Sequence, residues 1–270
     1  MTPTAMSQTL PPGAESAPEP VTIRRMALKD LWEVLKLGFD DLRHCRTDAL
    51  TIAIIYPISG VFLASVIVVR AFLPFVFPIC AGFALLGPMA TLWFAALSRQ
   101  RERGDASAIS VFTPARLVAI QRLCVIAIML FVIWNVTAGI IYGLTLGSSN
   151  EDASSPFLQR IWNTQAGWAL IIAGCATGAV FAVLSLAVFC ISFPLVLDRP
   201  VTASQAIGIS IRAMLHNPIF VLAWGAVVVG GLLGGALPAM LGIVFVLPTL
   251  GHASWHLYRR MVLKPNFTVF

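Results

Sequence analysis

The chain alternates long apolar runs with short polar connections, and the length of those runs sets the architecture. A helix rises about 1.5 Å per residue, so about 20 apolar residues cross a hydrocarbon core about 30 Å thick. Residues 49–69 supply one such run, with no Asp, Glu, Lys or Arg between Asp48 and Arg70. Residues 72–97 follow at once and carry Pro74, Pro78 and Pro88. Further runs cover 123–146 and 167–197, the latter longer than a crossing needs. The apolar stretch 218–258 is about twice one crossing and is interrupted by Pro238, so it divides into 218–237 and 239–258. The pattern predicts an all-α, polytopic membrane helix bundle of six transmembrane helices.

Between the runs the spacing changes. Leu28, Leu31, Trp32, Leu35, Phe39 and Leu42 recur three and four apart, while Lys29, Asp30, Glu33, Lys36, Asp40 and Asp41 fill the other side. That predicts an amphipathic helix lying in the membrane interface, with Trp32 as a lipid anchor. Thr113–Pro114 reads as a helix start, and Thr202 with Gln205 has capping-box spacing ahead of a short helix ending at His216–Asn217–Pro218. Each third of the chain thus reads as a surface helix followed by a two-span hairpin, a weak three-fold repeat. Residues 1–22, rich in Pro, Ser, Thr and Glu, read as a disordered leader, 23–262 as the membrane domain, and 263–270 as a tail.

Composition agrees with a bilayer as the main solvent. Hydrophobic residues make up 58% of the chain and charged ones 11%, with a mean hydropathy of +0.87, against about 25% charged in soluble domains. The net charge of +6 and pI near 9.4 do not point to nucleic acid, because the basic residues are dispersed over short connections. They serve as a topology signal instead. With both termini inside, all but Arg70 and Arg160 of the 18 Lys and Arg residues fall on inner segments, as the cytoplasmic excess requires. Five spans would move Arg259, Arg260 and Lys264 outside. The five cysteines form no CxxC pair and read as small apolar residues.

Candidate chemistry is sparse. His252 and His256 lie four apart, on one helical face, a spacing suited to a metal ion or haem edge. All four histidines, with His44 and His216, fall on the inner side. The competing reading has the imidazoles bonded to neighbouring helices, with Trp255, Tyr258, Arg259 and Arg260 anchoring the helix end in the lipid interface. Gly139 with Gly143, Gly174 with Gly178, Gly230 with Gly234, and Gly231 with Gly235 have the spacing of close helix packing. Asn135, Thr137, Thr177 and Ser185 read as bridges between spans. No P-loop, dinucleotide fingerprint, HExxH or GxSxG motif occurs, and no Asp, Glu, Lys or Arg lies between the span limits, which argues against an enzyme and against a proton-coupled pump.

The segment Ser192–Phe193–Pro194–Leu195–Val196–Leu197–Asp198, the helix 202–217 and the ending Leu247–Pro248–Thr249–Leu250–Gly251–His252 through Arg260 resemble an uncharacterised family of bacterial integral membrane proteins, a domain of unknown function. The resemblance covers residues 25–262 and implies a six-span protein of the inner membrane in a proteobacterium-like host, multi-pass, with cytoplasmic termini. Some members carry an oxidase-subunit label, but a haem-copper core needs several intramembrane histidines and this chain has two, near one helix end. The expectation is a non-catalytic scaffold, assembly or accessory factor in a membrane complex, with the lipid bilayer and other membrane proteins as partners. The alternatives are a permease for a small or lipid-like solute and a haem- or metal-binding redox protein using His252 and His256.

Overall fold

The computed structural model describes residues 21–45, 54, 58, 76–150, 156–237 and 241–263. Its helices are α1 (Lys29–His44), α2 (Val76–Leu85), α3 (Gly87–Ala90), α4 (Leu92–Arg103), α5 (Pro114–Leu144), α6 (Phe157–Asn163), α7 (Gln165–Phe189), α8 (Ser192–Asp198), α9 (Ala203–His216), α10 (Pro218–Ala236) and α11 (Ile243–Met261), with a 3₁₀ turn at Ala108–Val111. Two short strands, β1 (Thr22–Ile23) and β2 (Val262–Leu263), pair antiparallel with Thr22 opposite Leu263. The first and last described segments are therefore neighbours.

Local chemistry explains the boundaries. Proline at the first helical position starts α5 and α10, where a missing N–H costs nothing. Thr202 and Gln205 form the expected capping box on α9. Gly104 ends α4 with φ +70, a left-handed cap that disfavours a side chain. Pro194 has no N–H to donate to Cys190, so the long fourth run breaks at 190–191 into α7 and α8, and the Ser192 hydroxyl donates back to the Val188 carbonyl. Pro248 sits inside α11.

Among the described residues, three helical stretches are long and apolar enough to cross a membrane: Pro114–Leu144, Gln165–Asp198 and Pro218–Ala236. They coincide with the predicted third, fourth and fifth spans. The predicted first span, 49–69, lies outside the described residues but for 54 and 58, and so do Pro74 and Pro238. The second, 72–97, departs from expectation. It is divided at Leu86 and Thr91 into α2, α3 and α4, with Pro88 in the one-turn α3, and α4 runs on to Arg103. The sixth corresponds to α11, which carries two histidines and two arginines and is not among those three stretches. A surface helix precedes the last pair (α9 before α10 and α11), whereas a single 3₁₀ turn follows α4 ahead of α5.

Burial is concentrated at one end. The main core gathers Phe94–Leu97 of α4, Phe189, all of α8, and Leu250 to Met261 of α11. A small satellite holds Leu85, Trp134 and Ala138, where Trp134 donates to the Pro78 carbonyl at 2.7 Å and packs on Gly178. Elsewhere α5 buries only a stripe and exposes Met129, Val136 and Ile140, while α7 exposes Ile172 and Val180 and α10 exposes Leu233.

Candidate functional site

The well-buried end of the bundle is built around carboxylates. α1 presents Asp30, Val34, Gly38, Asp41 and Leu42 to the protein, a stripe at spacings of four, four and three. The stripe reaches α11 at backbone distance. A Cβ on Gly38 would stand 2.6 Å from the Thr249 carbonyl oxygen and 2.7 Å from the Ala253 Cβ. Two members of the predicted polar side of α1, Asp30 and Asp41, thus face protein. The predicted apolar side keeps Leu28, Trp32 and Phe39 exposed, with Lys36 5.3 Å above the Trp32 ring and Arg43 4.5 Å above Phe39. The helix is amphipathic as the spacing predicts, but it turns its aspartates inward and its aromatics outward.

Asp41 is 4% exposed and links three elements. Its carboxylate accepts from the Ser98 hydroxyl at 2.5 Å and meets His256 Nε2 at 2.7 Å, and Arg101 pairs with its other oxygen. Burial alone raises the Asp41 pKa, but the bonds from His256 and Ser98, with help from Arg101, outweigh it and hold the carboxyl down at about 2. Because the Ser98 proton goes to the carboxylate, Ser98 Oγ accepts from His252 Nδ1 at 2.8 Å, which fixes the neutral His252 with its proton on Nδ1. The His252 Nε2 lone pair is buried without a partner among the described residues, in a ring that lies 5.8 Å from Phe94.

A second buried carboxylate, Asp198, closes α8. It accepts from the Tyr258 hydroxyl at 2.7 Å, pairs with Arg103, and lies 3.7 Å from Arg259. Its carbonyl also accepts from Arg116. Glu102 extends the second group, since Arg259 lies against both acids. It accepts the Trp255 indole N–H at 2.8 Å and pairs with Arg259 at 2.6 Å. Burial pushes the Glu102 pKa up, yet those two donors bring it below the usual carboxylate range. Arg260 pairs with Glu33 at 2.5 Å and Arg99 with Asp105. The result is two neighbouring polar clusters, one around Asp41 through α1, α4 and α11 and one around Asp198 through α4, α8 and α11.

The predicted site residues fall into three groups. His252 and His256 share the network but not a ligand position: His256 Nε2 is occupied by Asp41, and His252 Nδ1 by Ser98. Among the described residues, no three His, Cys, Asp or Glu side chains are placed to hold a metal ion. His44 bonds the Asp40 carbonyl, and His216 is exposed at the end of α9. Trp255 and Tyr258, expected as lipid anchors, are fully buried with their polar atoms spent on Glu102 and Asp198, because α4 and α8 cover them. Arg259 and Arg260 pair with acids rather than extending to lipid, and Trp32 is 63% exposed. Among the glycines, Gly178 touches Trp134, while a Cβ on Gly143, Gly174, Gly230 or Gly234 would meet open space. Gly139 is half-buried. The alternate pair Gly231 and Gly235 packs on Val246 and Ile243 of α11. Asn135 and Thr137 bond carbonyls of their own helix, one turn back.

Ser98 and Glu102 did not stand out in the sequence, and Asp41 and Asp198 did so only as a polar-face residue and as the end of a motif. One signal was present: after Asp198 the chain contains no Asp or Glu. Every side-chain acid that neutralises Arg259, Arg260 or His256 must come from the earlier part of the chain. Long-range pairing is forced by that segregation.

Residues 76–198, from α2 through α8, match the family described as predicted integral membrane protein (DUF2189). The stretch includes Ser192–Asp198, whose motif contributed to the resemblance, whereas 202–217 and 247–260 lie beyond it. Comparison with curated proteins and with solved structures matches nothing.

Proposed function

Starting from an integral membrane protein, we propose a non-catalytic scaffold or accessory factor of the bacterial inner membrane, whose polar end is a rigid clamp at the cytoplasmic surface. One observation carries the reading. The buried acids Asp41 and Asp198, and Glu102, are each engaged by two or more donors from other elements. A network satisfied in this way fixes geometry. The clamp holds the N-terminal helix against the C-terminal one and presents a fixed surface on which other chains assemble.

An even number of crossings with both termini inside is supported by the pairing of Thr22 with Leu263 and by the distribution of basic residues. Extraction in mild detergent with a C-terminal tag tests the functional reading: associated membrane proteins are expected to co-purify, and recovery as an isolated monomer under several extraction conditions contradicts it. Compartment reporters on the two termini test the layout, and opposite compartments overturn it.

A further inference from the structure

We propose that the groove between the N-terminal segment and the α9–α10 junction binds the phosphate head group of an anionic phospholipid. The inference rests on the membrane reading above and adds a specific ligand site. The groove has a volume of about 190 Å³ and is lined by Arg25, His216, Pro218 and Ile219, among others. Its backbone is fixed from both sides. The Asn217 side chain accepts from Met26 N–H at 2.8 Å and donates to the Arg24 carbonyl at 3.0 Å, and Arg24 N–H donates to the Met261 carbonyl at 2.9 Å. Arg25 stands between two pinned residues, so little backbone entropy is lost when its guanidinium meets an anion.

Charge complementarity selects the occupant. Residues 21–29 and 199–222 contain Arg24, Arg25, Lys29, Arg199 and Arg212 but no Asp or Glu. Arg25, Arg212 and His216 are exposed and have no side-chain partner among the described residues. This differs from the clamp nearby, where arginines are matched by carboxylates. Arg212 lies one turn before His216 on the same face of α9. Apolar side chains border these cations: Leu215 is 75% exposed and Ile219 72%. Cationic groups beside exposed aliphatic ones fit a molecule with a phosphate at one end and acyl chains at the other. A free phosphate would use the cations and leave Leu215 and Ile219 in water.

The test is native mass spectrometry of the full chain in detergent, titrated with phosphatidylglycerol or with phosphatidylcholine. Preferential retention of phosphatidylglycerol is expected, weakened about five-fold by Arg25→Gln, as the loss of one basic contact predicts. Arg122→Gln, on the exposed surface of α5, removes the same charge and should change retention less than two-fold. Equal retention of the two lipids, or equal effects of the two substitutions, overturns the site in favour of diffuse attraction. Displacement of the lipid by millimolar inorganic phosphate at constant ionic strength overturns the lipid as occupant. Loss of the chain from carbonate-washed membranes instead contradicts the membrane reading on which the proposal stands.

Discussion

The two ends of the bundle are held together by different physics. At the basic end α4, α8 and α11 bury Phe94, Phe193, Trp255 and Tyr258 almost completely, as a soluble domain would. Along α5, α7 and α10 large aliphatic side chains remain exposed, and only narrow stripes touch other helices. The contrast follows from the solvent. Where water is present, burying apolar surface yields about 25 cal/mol per Å²; in hydrocarbon that drive vanishes and close packing takes over. Ion pairs concentrate at the same end, because a charge at membrane depth is costly. The polar network is thus the end at which the fold is specified, and the apolar half is where it meets lipid.

Asp198→Ala should break the comparison most strongly. It leaves Arg103 and Arg259 without a shared buried carboxylate and Tyr258 without an acceptor. Arg103 is partly exposed and Arg259 keeps Glu102, so the cost falls mainly on the buried Tyr258 hydroxyl that loses a charged acceptor, about 2–3 kcal/mol. Thermal unfolding in detergent is expected to show the largest drop of any single substitution at this end. A drop no larger than that of an exposed residue such as Arg122→Ala shows that the network is ornamental.

Gly38→Ala follows. The new Cβ collides with the Thr249 carbonyl and with Ala253, atoms of backbone or short side chain that have little room to give. Overpacking of this kind costs about 1–3 kcal/mol, and α1 should loosen from α11, read as faster backbone hydrogen exchange in Lys29–His44 with α7 unchanged.

Acid separates the two halves by chemistry. Asp41 has a folded pKa of about 2 against an ordinary 3.8. A carboxyl whose pKa is lower when folded stabilises the protein above its unfolded value, and the contribution fades as pH falls from about 4 through 2. It amounts to about 2 kcal/mol. The unfolding temperature should decline over that window more steeply in the wild type than in Asp41→Asn. Parallel curves remove Asp41 from its central place.

What the sequence revealed divides along the same line. The runs 123–146, 167–197 and 218–237 were legible because hydrocarbon imposes a length on any helix that crosses it. The second run hides its breaks in continuous apolarity: Pro88 cannot donate back to Ala84, and the run is interrupted at Leu86 and again at Thr91. The site was harder still. Four-residue spacing found His252 and His256 but not their partners, since Asp41 lies 215 positions from His256 and Ser98 lies 154 from His252. The amphipathic pattern of α1 gave its two faces without saying which meets protein. Burying Asp30 and Asp41 is favourable only because Arg260, Arg101, His256 and Ser98 await them. Trp255 and Tyr258 near a basic helix end have the composition of a membrane anchor, and only tertiary contact distinguishes that role from a buried hydrogen-bonded one.

The smallest expected effect sharpens the comparison most. Gly230 and Gly234 have the spacing of a helix-packing motif, yet a Cβ at either would meet nothing within 4 Å, whereas Gly231 and Gly235, one position on, meet Val246 and Ile243. Within a single chain, Gly234→Ala should therefore change stability by less than about 0.5 kcal/mol, and toward stabilisation, because alanine is the better helix former. Gly235→Ala, 3.1 Å from the Ile243 nitrogen, should destabilise. A marked loss on Gly234→Ala, seen as a lower unfolding temperature together with a smaller particle on size exclusion, locates a second chain against this face and makes the apolar half an assembly surface as well as a lipid-facing one.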